Sequence, residues 1–137
     1  MLLKKMREKN ISITNKTRGV VPRVAFLPIK NSVLGEKYEL SVALVTPREA
    51  REVTKRTKHK DKASNVLSFP LSKTSGEIIL CPATARREAR QWSASYGDFC
   101  AYLFIHGLFH LKGMDHGATM ESAERRVLKR FKIMIDL

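Results

Sequence analysis

The sequence predicts an α+β domain: a small, mixed, four-stranded sheet covered by helices. Three observations carry that reading. Short apolar segments with strand character alternate with stretches of helical period. Proline or a capping residue opens several of the helical stretches, and glycine closes two of them. The chain has 137 residues, of which 43% are hydrophobic; this suits one core of roughly 100–200 residues and excludes a disordered chain. Residues 1–137 are therefore expected to form a single domain.

The elements follow in order. Ile11–Asn15 alternates like a strand, and Val20–Gly35 reads as a helix with Pro22 near its start and Gly35 past its end. Pro28 within that helix demands a kink or a break. Tyr38–Val45 is a strand with Leu40, Val42 and Leu44 on one face. Thr46-Pro47-Arg48-Glu49 is a helix start. Thr46 can cap, Pro47 has the preset φ of a first helical residue, and Glu49 can close a capping box. That helix runs to about Thr57. Val66–Phe69 is a strand ended by Pro70, and Glu77–Cys81 is a strand after Gly76. Pro82 opens a helix in which Ala85, Ala89, Trp92 and Tyr96 fall at helical spacing. Asp98 is positioned to cap a further helix that Gly113 terminates. Thr119 caps the last one, with Val127, Leu128 and Phe131 facing in. The order is β-α-β-α-β-β-α-α-α.

Charge bears on partners. Lys and Arg number 26 against 13 Asp and Glu, a formal net charge of +13. Such an excess attracts polyanions, with nucleic acid favoured over an anionic membrane surface. No apolar run approaches the ~20 residues of a membrane span. The first ten residues are too charged for a secretory signal, so a cytoplasmic protein with no membrane partner and no small-molecule cofactor is expected. Cys81 and Cys100 form no C-x-x-C pair and read as reduced, buried thiols. Residues 1–10 carry Lys4, Lys5, Arg7 and Lys9 and read as a mobile basic tail. Arg48 to Lys62 holds seven basic residues against Glu49, Glu52 and Asp61. Lys55, Arg56, Lys60 and Lys62 are the candidate phosphate contacts in that ridge, which otherwise is a solvated face. Arg125, Arg126, Lys129 and Arg130 read as solvated, and His59 as a surface residue.

The helix from Phe99 to Lys112 is apolar nearly all round, which places it in the interior. Yet it carries His106 and His110, one turn apart on a single face. Two buried imidazoles need partners, because each unpaired buried polar group costs roughly 1–3 kcal/mol. Gly113 permits a sharp turn, and His116 follows, able to fold back toward the first two. Three imidazoles on a helix and turn make a first-row metal site, with zinc the default and another divalent ion the alternative. Three protein ligands leave the fourth position open, as in catalytic zinc sites. A domain of this size folds without a structural metal, so the site belongs to function. Asp115 either orients a ligand histidine or stabilises the turn.

The spacing H-x-x-x-H-x-x-G-x-x-H equals that of the metzincin proteases. Their general base is the Glu after the first His; here that position is Gly107. Ordinary zinc-peptidase chemistry lacks its base.

His106-Gly107-x-x-His110-x-x-Gly113-x-Asp115-His116, together with Ser64-Asn65-Val66-Leu67-Ser68-Phe69-Pro70 and Gly76-Glu77-Ile78, resembles the YbeY family of bacterial endoribonucleases and ribosomal RNA maturation factors. The likeness spans roughly Ile11 to Phe131. It implies a zincin-like fold, a metal held by His106, His110 and His116, and metal-dependent cleavage of single-stranded RNA. It also implies 16S ribosomal RNA 3′-end maturation, ribosome quality control and the small ribosomal subunit as partner. Counting back from Val66, Lys58 stands where the family carries an arginine linked to cleavage. The catalytic roles therefore fall to Lys58 and His110. Lysine keeps the charge but loses the bidentate fork. Thr54 replaces the usual Asn, and Ala63-Ser64 alters the usual Thr-Pro context. The Pro70–Gly76 connection is short. The alternative is a non-catalytic, zinc-containing assembly factor that binds ribosomal RNA on the small subunit.

Overall fold

A computed structural model describes residues 4–137. Its elements are β1 (Lys4–Glu8), β2 (Ile11–Asn15), α1 (Phe26–Leu34), β3 (Glu39–Leu44), α2 (Pro47–Lys58), β4 (Val66–Ser72), β5 (Ser75–Leu80), α3 (Pro82–Glu88), α4 (Tyr96–Leu111) and α5 (Ala118–Arg130). A 3-10 turn, Ala89–Trp92, follows α3. The architecture is α+β, but the sheet has five strands in the order β1-β2-β3-β5-β4. The expected four omitted β1. Its sequence Lys-Lys-Met-Arg-Glu offers no apolar alternation, and its place in the sheet comes from antiparallel pairing with β2 across a turn at Asn10. An edge strand needs only backbone hydrogen bonds, and its charges discourage further pairing. The predicted basic tail is therefore a strand over Lys4–Glu8; residues 1–3 of it lie outside the described residues.

The sheet is mixed. β2, β3 and β5 run parallel, and β1 and β4 lie antiparallel on the two edges. Leu40, Val42 and Leu44 share the main core with Ile11, Ile13, Ile78 and Leu80. That face is covered by α1, α4 and α5, through Phe26, Ile29, Phe99, Phe104, Leu108, Met120 and Leu128. Ala43, Val45, Ala50 and Cys81 form a smaller cluster on the opposite face, beneath α2.

Several boundaries differ from expectation. Residues 20–25 are not helical, and α1 begins at Phe26. Pro28 thus falls in the first turn, where no intrahelical N–H bond is lost, and no break is needed. β4 continues through Pro70 to Ser72, because an edge strand tolerates proline. Thr46 caps α2 as expected, its hydroxyl accepting from Glu49 N at 3.3 Å, and the helix ends at Lys58. The Glu49 carboxylate accepts from Lys16 Nζ at 3.2 Å instead of closing a box. The helix expected through Tyr96 stops after the 3-10 turn, where Ser93 is left-handed with φ 47°. Ser95, not Asp98, caps α4; its hydroxyl accepts from Asp98 N at 3.1 Å. Gly117, not Thr119, precedes α5.

Candidate metal centre and its cleft

α4 is buried around almost its whole circumference, as its composition predicts. It lies so close to β4 that Gly107 has no room for a side chain. A Cβ there would come within 2.9 Å of Ser68 Oγ, 3.2 Å of Ile78 Cδ1 and 3.3 Å of Val66 Cγ2. Ser68 Oγ donates to Gly107 O at 2.9 Å, tying the strand to the helix. The glycine between the first two histidines is thus a packing requirement. The peptidase glutamate cannot occupy it.

Gly113, with φ +95°, turns the chain after α4, and its N–H donates to His110 O at 3.0 Å. The turn returns His116 to the other two rings. Ring centroids lie 4.6 Å apart for His106 and His110, 5.0 Å for His106 and His116, and 4.7 Å for His110 and His116. One nitrogen from each falls within 4.8 Å of the others.

The hydrogen bonds define which nitrogens face inward. His106 Nδ1 lies 2.5 Å from Glu124 Oε2, and His110 Nδ1 lies 3.1 Å from Met114 O. A carboxylate and a carbonyl only accept, so both Nδ1 atoms carry the proton. In the neutral rings each Nε2 then offers a lone pair, and the two face each other at 3.1 Å. Nitrogens on a tetrahedral zinc with bonds of about 2.0–2.1 Å sit roughly 3.3 Å apart. The residues present fit such an ion, with His116 on an exposed turn as the third imidazole of the set. Burial, followed by the neighbouring His106 and His116 charges, holds the His110 pKa below its ordinary value. That keeps the imidazole neutral and ready to ligate.

Glu124 was not anticipated. It is buried on α5, where it supplies the carboxylate that fixes the His106 tautomer. Its signal in the sequence was its place between Met120 and Leu128, one turn from each on the apolar stripe of α5. Asp115 is exposed and, among the described residues, makes no side-chain hydrogen bond.

The histidines open into a cleft of about 520 Å³, lined also by Lys62, Ala63, Ser64, Asn65, Val66, Ser68, Glu88, Trp92, Phe99, Tyr102 and Leu103. The loop and strand bearing the Val-Leu-Ser-Phe stretch form one wall; α3, its 3-10 turn and α4 form the other. Asn65 Nδ2 donates to Glu88 Oε1 at 2.7 Å and joins the two walls. Glu88 also escaped the sequence reading, for its partner lies 23 residues away. Burial pushes the Tyr102 phenol up to about 12, with Glu124 and Glu121 adding to the effect, so it remains a donor. Cys100, pushed up to about 11 by burial, supplies no thiolate.

Of the candidate phosphate contacts, Lys62 lines the cleft. Lys55, Arg56 and Lys60 are exposed on the end of α2 and the following loop, outside its lining. Lys58 is the last residue of α2, exposed and likewise not in the lining. Thr54 is buried, its hydroxyl donating to Ala50 O at 2.8 Å and paired with Ser64 Oγ at 2.9 Å, which anchors the loop to the helix. No helix among the described residues is long and apolar enough to cross a membrane.

Comparison with known proteins adds to the geometry. Residues 4–133 match the family described as endoribonuclease YbeY. A Francisella philomiragia protein of that name is 27% identical over 140 residues, covering 90% of this chain and 89% of the relative. A Pseudomonas putida protein of the same name is 38% identical over 103 residues, 66% of each chain. The solution structure of a Thermotoga maritima protein superposes with a TM-score of 0.56 at 26% identity, covering 77% of both chains.

Proposed function

This chain belongs to the endoribonuclease YbeY family, and from that premise we propose that it cleaves single-stranded RNA at a metal held by His106, His110 and His116. The chain is an endoribonuclease. The finer reading is zinc as the metal, 16S ribosomal RNA 3′-end maturation and ribosome quality control as the role, and the small ribosomal subunit as partner. The observation that carries the metal dependence is the pair of facing Nε2 lone pairs, 3.1 Å apart, whose Nδ1 atoms are already satisfied. Two acceptors aimed at each other are reconciled by a cation. We also read the fold as zincin-like, on the strength of two histidines on a buried helix and a third beyond a glycine turn.

A bound divalent ion supplies Lewis acidity to a phosphate oxygen and lowers the pKa of a coordinated water. The chain's own residues do the rest. Lys62 draws the RNA backbone into the cleft, while Lys55, Arg56 and Lys60 raise its local concentration along the approach. Lys58 adds a cation at the start of the loop that feeds the cleft. Glu124 holds the His106 ring in one tautomer, and the Met114 carbonyl does the same for His110. The pair Asn65–Glu88 ties the two walls of the cleft together.

The test is cleavage of an end-labelled single-stranded RNA by wild type, His106→Ala and His110→Ala. Loss of cleavage in both variants, with the melting temperature close to wild type, supports the reading. Undiminished cleavage by either one overturns it. Lys58, the proposed substitute for the family arginine, lies outside the cleft lining, so its part in this reading is to attract RNA along the approach.

A further inference from the structure

Trp92 stands out among the described residues as an aromatic among the exposed large hydrophobics, with 37% of its surface accessible. The others are aliphatic: Met6, Val20, Leu71, Met134 and Leu137. Trp92 alone of these lines the cleft that holds the three histidines. It is also the outer member of a run of rings. Trp92 and Phe99 are stacked at 6.4 Å and 20°, Phe99 and Tyr102 at 6.2 Å and 25°, and Tyr102 and His106 are tilted at 5.9 Å and 35°. The run extends from the cleft wall to a candidate metal ligand.

The main chain at Trp92 is anchored, and its indole rests against a buried ring. Phe99 behind it is 1% exposed. The Trp92 carbonyl accepts from Asp136 N at 3.0 Å, and the left-handed Ser93 ends the 3-10 turn immediately afterwards. A core tryptophan would be buried, whereas this one keeps 37% of its surface accessible while resting against Phe99 and Tyr102, each with its ring centroid 6.4 Å away. Exposed aromatic surface in a basic cleft is the arrangement that binds unpaired nucleobases, and Lys62 supplies a cation in the same cleft.

We propose that Trp92 is a nucleobase-stacking platform that seats one unpaired base of the RNA beside the histidine centre. The proposal rests on the nuclease reading and deepens it by assigning a source of single-strand preference. A base in a duplex has both faces occupied by its neighbours and cannot lie on the ring without being unstacked. Because any base has a π-face, the platform tolerates sequence.

Trp92 is the chain's sole tryptophan, so intrinsic fluorescence reports this position alone. The experiment titrates zinc-loaded protein with an end-labelled, 2′-O-methyl single strand, the same strand in a duplex, and the same strand with one abasic residue. Label anisotropy measures binding, and tryptophan emission measures stacking. Cleavage of the unmodified strand is measured in parallel. Saturable quenching by the single strand and none by the duplex is expected. Trp92→Phe should retain affinity, and Trp92→Leu should weaken it about 5- to 100-fold, as loss of one stacked base does. That loss should appear in KM with kcat largely retained, and metal content should stay at wild type.

If the single strand binds and is cleaved while emission is unchanged, the inference fails and the nuclease reading stands. Wild-type affinity in a folded Trp92→Leu overturns the inference in the same way. If no strand binds and none is cleaved, the nuclease reading fails and takes the inference with it. The wild-type quenching decides between these outcomes even if the leucine variant does not fold.

Discussion

At the scale of single residues, the site depends on which imidazole nitrogen carries its proton. Glu124 imposes that choice on His106 from a buried position on α5. Glu124→Gln keeps an acceptor but removes the charge. The substitution should weaken metal binding about 10- to 100-fold in competition with a chelator. Unchanged affinity would mean that the carboxylate contributes only packing. The lowered pKa of His110 sets the sign of a pH effect. A histidine that resists protonation when folded leaves the unfolded chain binding more protons, so stability falls as pH falls. The contribution is absent above the ordinary histidine value of 6.5 and fully expressed below the depressed one. Metal-free protein should therefore melt progressively lower from about pH 7 to about pH 5, with a shallower trend in His110→Gln. Equal trends would remove His110 from the effect. The three histidines were legible because i, i+4 spacing and a glycine turn are local properties of the chain. The carboxylate was not, since its contact joins residues 18 apart in the chain, on two different helices.

At the scale of elements, α4 works because it approaches β4 without a side chain between them. Gly107→Ala adds a methyl within 2.9 Å of Ser68 Oγ and threatens the bond from that hydroxyl to Gly107 O. Overpacking of this kind costs about 1–3 kcal/mol, partly offset by about 1 kcal/mol of helix propensity. Net destabilisation should be visible in denaturant unfolding, and a variant as stable as wild type would contradict the close-packing account. The composition of α4 and the cap at Thr46 were readable because both are written in consecutive residues. The limits of α1, α3 and β4 were not. Pro28 breaks a helix only if the helix has already begun, and Pro70 ends a strand only if both its edges are paired. Those conditions are tertiary. The strand β1 was missed for a related reason, because pairing with β2 gives it an order that its own side chains do not announce.

For the whole molecule, the formal charge of +13 is a statement about affinity that the cleft turns into a statement about place. Each phosphate contact with a single strand contributes about 0.7 to the slope of log affinity against log salt. Neutralising Lys55, Arg56, Lys60 and Lys62 together should flatten that slope by about 3 if all four contact phosphate. An unchanged slope would return the ridge to a solvated face. A smaller change confined to Lys62 would assign phosphate contact to the cleft alone. The central claim, that cleavage depends on a metal held by three histidines, is tested most directly by removing the metal in steps. Single-turnover cleavage of one labelled single strand should be measured against metal content as a chelator strips the protein and zinc restores it. Activity should fall and recover in proportion to occupancy, reaching its full value at one ion per chain. Full cleavage by metal-free protein would contradict the account.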